Sequence, residues 1–210
     1  MPHGRPRVTC RRCAACCRAA GPALHEQDLD LVGTAFALAD LMTLRAGEPA
    51  FDQPAQAVRP LAAEIVKLAS LNPEAGRWDC IFLTEQGCGI YASRPLECRL
   101  LDCRDTSALE NAYASGRLTR LDILPPESAL AEIVRLHEER CPMAEALALS
   151  REHGMAHALL DEMLAFDRSL RATLAERDLS PPLLRFLLGR PLDAVLRAAQ
   201  TAPGAFAARP

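Results

Sequence analysis

Lysine is almost missing from this chain of 210 residues: Lys67 is the only one, and arginine carries the rest of the cationic side-chain charge. With alanine so abundant, that bias reads as genome composition and not as a binding surface. A net charge of −3 and 4% aromatics supply neither the basicity nor the stacking platforms of a nucleic-acid binder, so nucleic acid is not an expected partner. Long apolar runs are absent too. The longest, "LVGTAFALADLM", is interrupted by Asp40 and is too short to span a bilayer, so no membrane is expected. The opening "MPHGRPRVT" has positive charge but no apolar stretch of the kind a secretory signal needs. A cytoplasmic location is the expectation. No glycine-rich phosphate loop, nucleophile elbow or paired-carboxylate pattern occurs, so enzymatic activity stays open.

Cysteine, by contrast, is plentiful and grouped. "CRRCAACC" places Cys10, Cys13, Cys16 and Cys17 within eight residues, and a second group holds Cys80, Cys88, Cys98 and Cys103; Cys141 stands apart. Core packing does not require such crowding, because a free cysteine packs as a small hydrophobe. Disulfides seldom persist in a reducing cytosol, and nine cysteines would leave one unpaired. The grouping therefore points to a soft metal. Thiolates select zinc or an iron–sulfur cluster over magnesium or calcium. Four thiolates close a structural zinc site. Cys10, Cys13 and Cys16 also repeat the opening of a ferredoxin run, but its fourth position is Ala20, so a remote cysteine would have to complete a cluster. Spacing leaves zinc and iron–sulfur both open, with a slight preference for the cluster. The candidate ligands are Cys10, Cys13, Cys16, Cys17, Cys80, Cys88, Cys98 and Cys103.

The expected scaffold is mainly α with a small β-hairpin, a cysteine-rich metal-binding core packed against helices. Residues 1–23 read as irregular, closed by Gly21–Pro22. Leu29, Val32, Phe36, Ala39 and Met42 predict one face of a helix ending at Gly47. A second helix is expected from Pro60 to before Pro73, so that a helical pair spans the gap between the cysteine groups. Two β-prone runs, Trp78–Leu83 and Gly89–Tyr91, predict a hairpin turning at Glu85–Gly87, with Trp78 and Tyr91 packed beneath it. Helical patterning resumes after Cys103 and continues to about Gln200, before a frayed tail. This suggests residues 1–104 as a metal-binding domain and 105–210 as a helical extension packed on it. The amphipathic "PPLLRFLLGRPLDAVLRAAQ" can serve a protein partner or close the chain's own core, and the second is expected.

Arginines border both groups: Arg5, Arg7, Arg11, Arg12 and Arg18 around the first, Arg94, Arg99 and Arg104 around the second. They are expected to offset thiolate charge, with Arg94 also fixing the turn that leads to Cys98. His153 and His157, and His137 and Cys141, share a four-residue spacing that can clamp a metal, but solvent-exposed histidines are expected on these faces.

The two cysteine motifs together resemble the YkgJ-like cysteine-cluster family, the zinc- or iron-chelating domains with a CxxCxxCC signature. "CRRCAACC" matches that signature. "CIFLTEQGCGIYASRPLECR", Cys80 to Arg99, resembles the family's second half. The resemblance covers about residues 10–104 and implies metal ligation by Cys10, Cys13, Cys16, Cys17, Cys80, Cys88 and Cys98; Cys103 and Cys141 fall outside the shared pattern. It implies a metal-binding domain, and the reading preferred here is an accessory or redox module. The alternative is a metal-cluster-assisted protein-modifying enzyme, since the flagellin lysine methylases join a similar cysteine cluster to a methyl-transferring chain. An open coordination position or bound S-adenosylmethionine would favour the enzyme, and saturated thiolate ligation with no pocket beside it would favour the module.

Overall fold

The computed structural model describes residues 10, 12–72 and 77–201. The expectations for Arg5, Arg7, Arg11, the helix stop at Pro73 and the C-terminal tail past 201 lie outside the described residues. About half of the structure is helical, joined by small two-stranded antiparallel sheets.

The helix expected before Gly47 does not form. Its place is taken by two 3-10 turns, Glu26–Leu31 and Leu38–Asp40, followed by strand β1, Leu41–Leu44. Gly33, at φ +82°, sits where a right-handed helix cannot continue. Each turn is closed at its start by an acidic side chain: the His25 amide donates to Asp28 at 3.1 Å, and the Ala37 amide donates to Asp40 at 2.8 Å.

The second expected helix is also replaced by strands. They are β2 (Pro49–Asp52), β3 (Ala57–Pro60), β4 (Ile65–Leu68) and β5 (Ser70–Asn72). β4 pairs with β1, matching Leu41 to Leu68 and Leu44 to Ile65. Alternation turns Val66 and Leu68 into the core, and that burial outweighs the helical preference of the alanine-rich flank. β2 pairs with β3, with Pro49 and Pro60 opposite each other at one end of the ladder, where a missing N–H costs little.

The predicted hairpin keeps its turn and loses its outer strand. β7 (Leu83–Thr84) pairs with β8 (Gly87–Cys88), while Trp78 belongs to β6 (Arg77–Cys80), which pairs instead with β5. Trp78 is 46% exposed, so it is not packed beneath a hairpin. Among the described residues there are thus four two-stranded sheets, where the sequence predicts a single hairpin.

Two short helices carry cysteines, α1 (Ala15–Ala19) and α2 (Leu96–Leu100). The remainder is helical as expected: α3 (Ser107–Ala112), α4 (Arg120–Ile123), α5 (Ala129–Arg140), α6 (Met143–His153), α7 (Ala158–Ala175), α8 (Pro181–Leu188) and α9 (Leu192–Thr201). Ser128 and Ser180 cap α5 and α8 by accepting from backbone amides at 3.2 and 3.4 Å. The amphipathic segment closes the core: Phe186, Leu187 and Leu188 of α8 and Leu192, Val195 and Leu196 of α9 have no exposed surface.

One hydrophobic cluster joins both halves, running from Leu24, Leu41, Val66 and Leu68 to Val134 and Phe186. A second lies among α6, α7 and α9. The halves are also held by charge. Fully buried Arg45, just after β1, grips Glu138 of α5 through Nε and Nη2 at 2.7 and 2.8 Å. Fully buried Arg120 reaches Glu138 at 2.6 Å and Glu64 at 2.9 Å. Such bidentate pairing is what makes two buried guanidiniums tolerable.

Candidate metal centre

Four separate elements bring cysteines together. α1 carries Cys16 and Cys17 and leads into Gly21, where the chain lies flat against β4. A side chain on Gly21 would place its Cβ 2.3 Å from the Leu68 carbonyl oxygen, so only glycine permits this approach. The contact is fixed by the Leu68 amide donating to Pro22 at 3.0 Å and the Leu24 amide donating to Val66 at 2.9 Å. Cys80 ends β6 opposite Ser70. Cys88 ends β8 opposite Leu83, next to Gly87 at φ +108°.

Cys98 lies on α2, a helix too short to hold itself in place. Buried carboxylates anchor it. Asp28, without exposed surface, accepts from the Leu96 amide at 2.8 Å and from the Arg99 guanidinium at 3.3 Å. Glu97 accepts from the Ala23 amide at 2.8 Å and meets His25 Nε2 at 3.3 Å. The segment after the first cysteine motif thereby sets the position of the last cysteine. Nothing local in the sequence marked Asp28 or Glu97 for this task, because their partners lie about seventy residues away.

Cys16, Cys17, Cys80, Cys88 and Cys98 line one cavity of about 1050 Å³. Burial pushes the Cys17 thiol up to about 12, with Cys16, Cys88 and Cys80 adding to the rise. Burial likewise raises Cys80, and raises Cys98 with help from Cys16, Cys80, Cys17 and Cys88. These thiols are close enough to oppose one another's ionisation. Burial also lowers the ammonium of Lys67 on the same wall, against the pull of Glu97.

The donor set suits a soft cation, which would reverse this repulsion by converting thiols to bound thiolates. A tetrahedral zinc site with bonds of about 2.3 Å sets its sulfurs roughly 3.8 Å apart. The Cys16 and Cys17 sulfurs are 4.0 Å apart. Even so, among the described residues no three His, Cys, Asp or Glu side chains converge tightly enough to hold an ion as they stand. The cysteines gather on one cavity without forming a closed shell.

The remaining candidates lie outside that gathering. Cys10, Cys13 and Cys103 are exposed and do not line the cavity. The Cys10 sulfur accepts from the Arg12 amide at 3.4 Å. Cys141 is buried in the helical half, its thiol donating to the Met163 carbonyl at 3.3 Å.

Arg94 holds the turn it is expected to fix, and the neighbouring arginines have partners of their own. The Arg12 and Arg94 guanidiniums both lie over the Tyr91 ring, at 4.1 and 3.6 Å from its centre. Arg94 also donates to the Tyr91 carbonyl at 2.8 Å, holding the turn before Pro95. Arg18 donates to the Cys13 carbonyl at 3.0 Å, and Arg99 pairs with Asp28. These groups thus contact an aromatic ring, a carbonyl and a carboxylate, and Tyr91 links the first cysteine motif to the second.

His137 corrects another expectation. It is fully buried, and Nε2 donates to Asp167 at 2.8 Å, so it belongs to the helical core and not to an exposed face. His153 is exposed as expected and stacks on half-buried His157, ring centres 4.8 Å apart.

No helix among the described residues is long and apolar enough to cross a membrane. No curated protein and no solved structure matches the chain. Residues 9–115, which contain both cysteine motifs and the segment that binds them together, match the family described as "CxxCxxCC: Putative zinc- or iron-chelating domain". With half of its length matched and its two motifs meeting at one cavity, the chain belongs to the CxxCxxCC family.

Proposed function

We propose that the protein is a thiolate metal-binding module whose site is built from Cys16, Cys17, Cys80, Cys88 and Cys98, with Cys10, Cys13 and Cys103 as further donors. The observation that carries this reading is the meeting of five cysteines from four elements at one cavity. A bound metal would hold these cysteines as thiolates, and its binding would be coupled to the folding of the α1 and α2 segments that carry them. Bound zinc would supply a structural cross-link, and a bound iron–sulfur cluster would supply electron storage. The protein's own part is to gather the thiols, with Asp28 and Glu97 orienting Cys98 and Gly21 letting the chain after α1 lie against β4. The role read here is that of an accessory or redox module in a reducing cytoplasm, where clustered cysteines serve metals more often than disulfides.

A metal-cluster-assisted protein-modifying enzyme is the second reading. It gains from the open cavity beside the thiols, which a purely structural site does not need. It lacks a glycine-rich nucleotide turn, and so ranks second.

The test is elemental analysis and visible spectroscopy on protein purified without oxygen and without a metal-binding tag. Stoichiometric zinc, or iron with acid-labile sulfide and a brown chromophore, is expected, and Cys80→Ser or Cys98→Ser should lose it. Metal-free protein that gains no metal on reconstitution would sink the proposal.

A further inference from the structure

We infer that the cavity beside the cysteines is a ligand site for an apolar small molecule bearing one anionic group, which Lys67 receives. This goes beyond the metal reading and shares only a wall with it.

The cavity's size and lining argue for a ligand. At about 1050 Å³, it matches the upper range of small-molecule sites, roughly 300–1,000 Å³. Strand alternation shapes its floor. Val66 of β4 faces the shared core, while Ile65 and Lys67 turn the other way onto the cavity. Opposite stand the β2–β3 hairpin and α3, contributing Phe51 and Leu109.

A census of the charged lining picks out the lysine. Arg117 lies 3.5 Å from Glu97 and over the Tyr113 ring at 4.2 Å. Arg94 is committed to Tyr91. Asp52 accepts from the Ala55 amide at 3.3 Å, and Glu110 accepts from Thr106 at 2.5 Å. Arg59 is exposed. Lys67 is half-buried, its side chain has no hydrogen bond or ion pair among the described residues, and burial lowers its ammonium. A partly desolvated cation at the floor of an apolar cavity is a receptor for one anionic head group, with the walls taking the apolar body.

Two fluorescent probes differing only in a sulfonate test the assignment: 1-anilinonaphthalene-8-sulfonate and neutral N-phenyl-1-naphthylamine, titrated into the whole protein. Saturable, one-to-one binding of the sulfonate dye is expected. Lys67→Met should weaken it at least fivefold, Lys67→Arg should preserve it, and the neutral dye should change less than twofold. Decanoate or naphthalene-1-carboxylate should displace the sulfonate dye, the better competitor giving the shape of the apolar body. Should Lys67→Met fail to fold, Lys67→Gln makes the same comparison. Unsaturable dye binding, an unchanged affinity in the lysine variants, or displacement by neither carboxylate would overturn the inference. Metal content measured on the same samples separates the two readings: dye binding that survives in metal-free Cys98→Ser protein supports this site whether or not the metal proposal holds.

Discussion

The cysteine-bearing part and the helical part reach stability by different routes. Helices α5 to α9 bury whole leucine and phenylalanine side chains, and their buried acid Asp167 is fully engaged by His137, Arg171 and the Leu192 amide. Residues 10–104 have ladders of two to four residues and leave Phe51, Leu71 and Trp78 exposed. Beside buried, paired groups such as Asp28 and Arg45, they carry thiols that oppose one another's ionisation. Packing and paired charge complete the first region from within, whereas the second adds to its paired charges a set of thiols gathered on one cavity. Such regions sit at the low end of local stability until a ligand ties them down.

The joint between the regions offers the sharpest way to break that comparison. Glu138 serves both fully buried guanidiniums, Arg45 and Arg120, while its own side chain remains 36% exposed. Glu138→Ala leaves buried Arg45 without its carboxylate and Arg120 with Glu64 alone, and should cost about 3 kcal/mol in urea unfolding, at the low end for a broken buried pair because Glu138 keeps contact with water. Glu138→Gln, which retains hydrogen bonds, should cost less. Equal stability of wild type and Glu138→Ala would show that the joint contributes nothing.

Acid should expose the same joint. Burial alone would raise the Glu138 carboxyl, but Arg45 and Arg120 outweigh it and hold it at about 2; His137 and Arg171 likewise hold Asp167 at about 2 against its burial. A carboxyl depressed in the folded state contributes stability above its unfolded value near 4, and that contribution is lost as pH falls toward 2. Burial lowers His137, despite the opposing pull of Asp167. Its contribution is complete above the unfolded value near 6.5 and declines below it, because the unfolded chain takes up the proton first. Urea midpoints should therefore fall steadily from pH 7 to pH 3. Glu138→Gln should flatten the steepest, most acidic part of that fall, and a midpoint independent of pH would contradict the assignment.

Within the cysteine part, Asp28 separates positioning from mere packing. Its buried carboxylate takes the Leu96 amide, the His25 amide and Arg99. Asp28→Ala leaves those donors unmatched and should cost about 2–3 kcal/mol. It should also lower metal content, since α2 then loses the contact that places Cys98. Asp28→Ala protein that is less stable but keeps its full metal stoichiometry would reduce Asp28 to a structural acid.

The sequence made some of this visible. Composition and spacing marked two cysteine groups that belong together, and the apolar period of the C-terminal half marked its helices and the inward face of α8 and α9. The middle was misread because its cues conflict. Alanine-rich residues around Pro60 favour a helix, and only the pairing of Ile65–Leu68 with Leu41–Leu44, more than twenty residues earlier, makes β4 a strand. Gly33 was a local warning, since its positive φ stops the turn that the apolar spacing seemed to continue. His137 looked like a surface residue because its partner Asp167 comes thirty residues later. The anchors of Cys98 and the Tyr91 contact are long-range as well, so single-residue properties carry no trace of them.

That Tyr91 contact supplies the smallest and most specific test. Arg12 comes from the first cysteine motif and Tyr91 from the second, so their contact reports whether the two halves of the site are held together before any metal binds. An exposed cation–π pair is worth about 0.5–1 kcal/mol. Tyr91→Phe keeps the ring and should be nearly neutral, whereas Tyr91→Leu should cost about 1 kcal/mol because Arg12 and Arg94 both lose their ring partner. A double-mutant cycle of Arg12→Ala with Tyr91→Leu isolates the first contact from the second, and should return a coupling of about 0.5 kcal/mol. The same variants, followed by the rate at which a chelator strips the metal, distinguish two kinds of cysteine part. If the halves are preassembled, Tyr91→Leu should speed metal loss several-fold while α5 to α8 keep their amide-exchange protection. If the metal alone draws the halves together, the loss rate will match wild type, and the contact at Tyr91 is then a consequence of closure and not one of its causes.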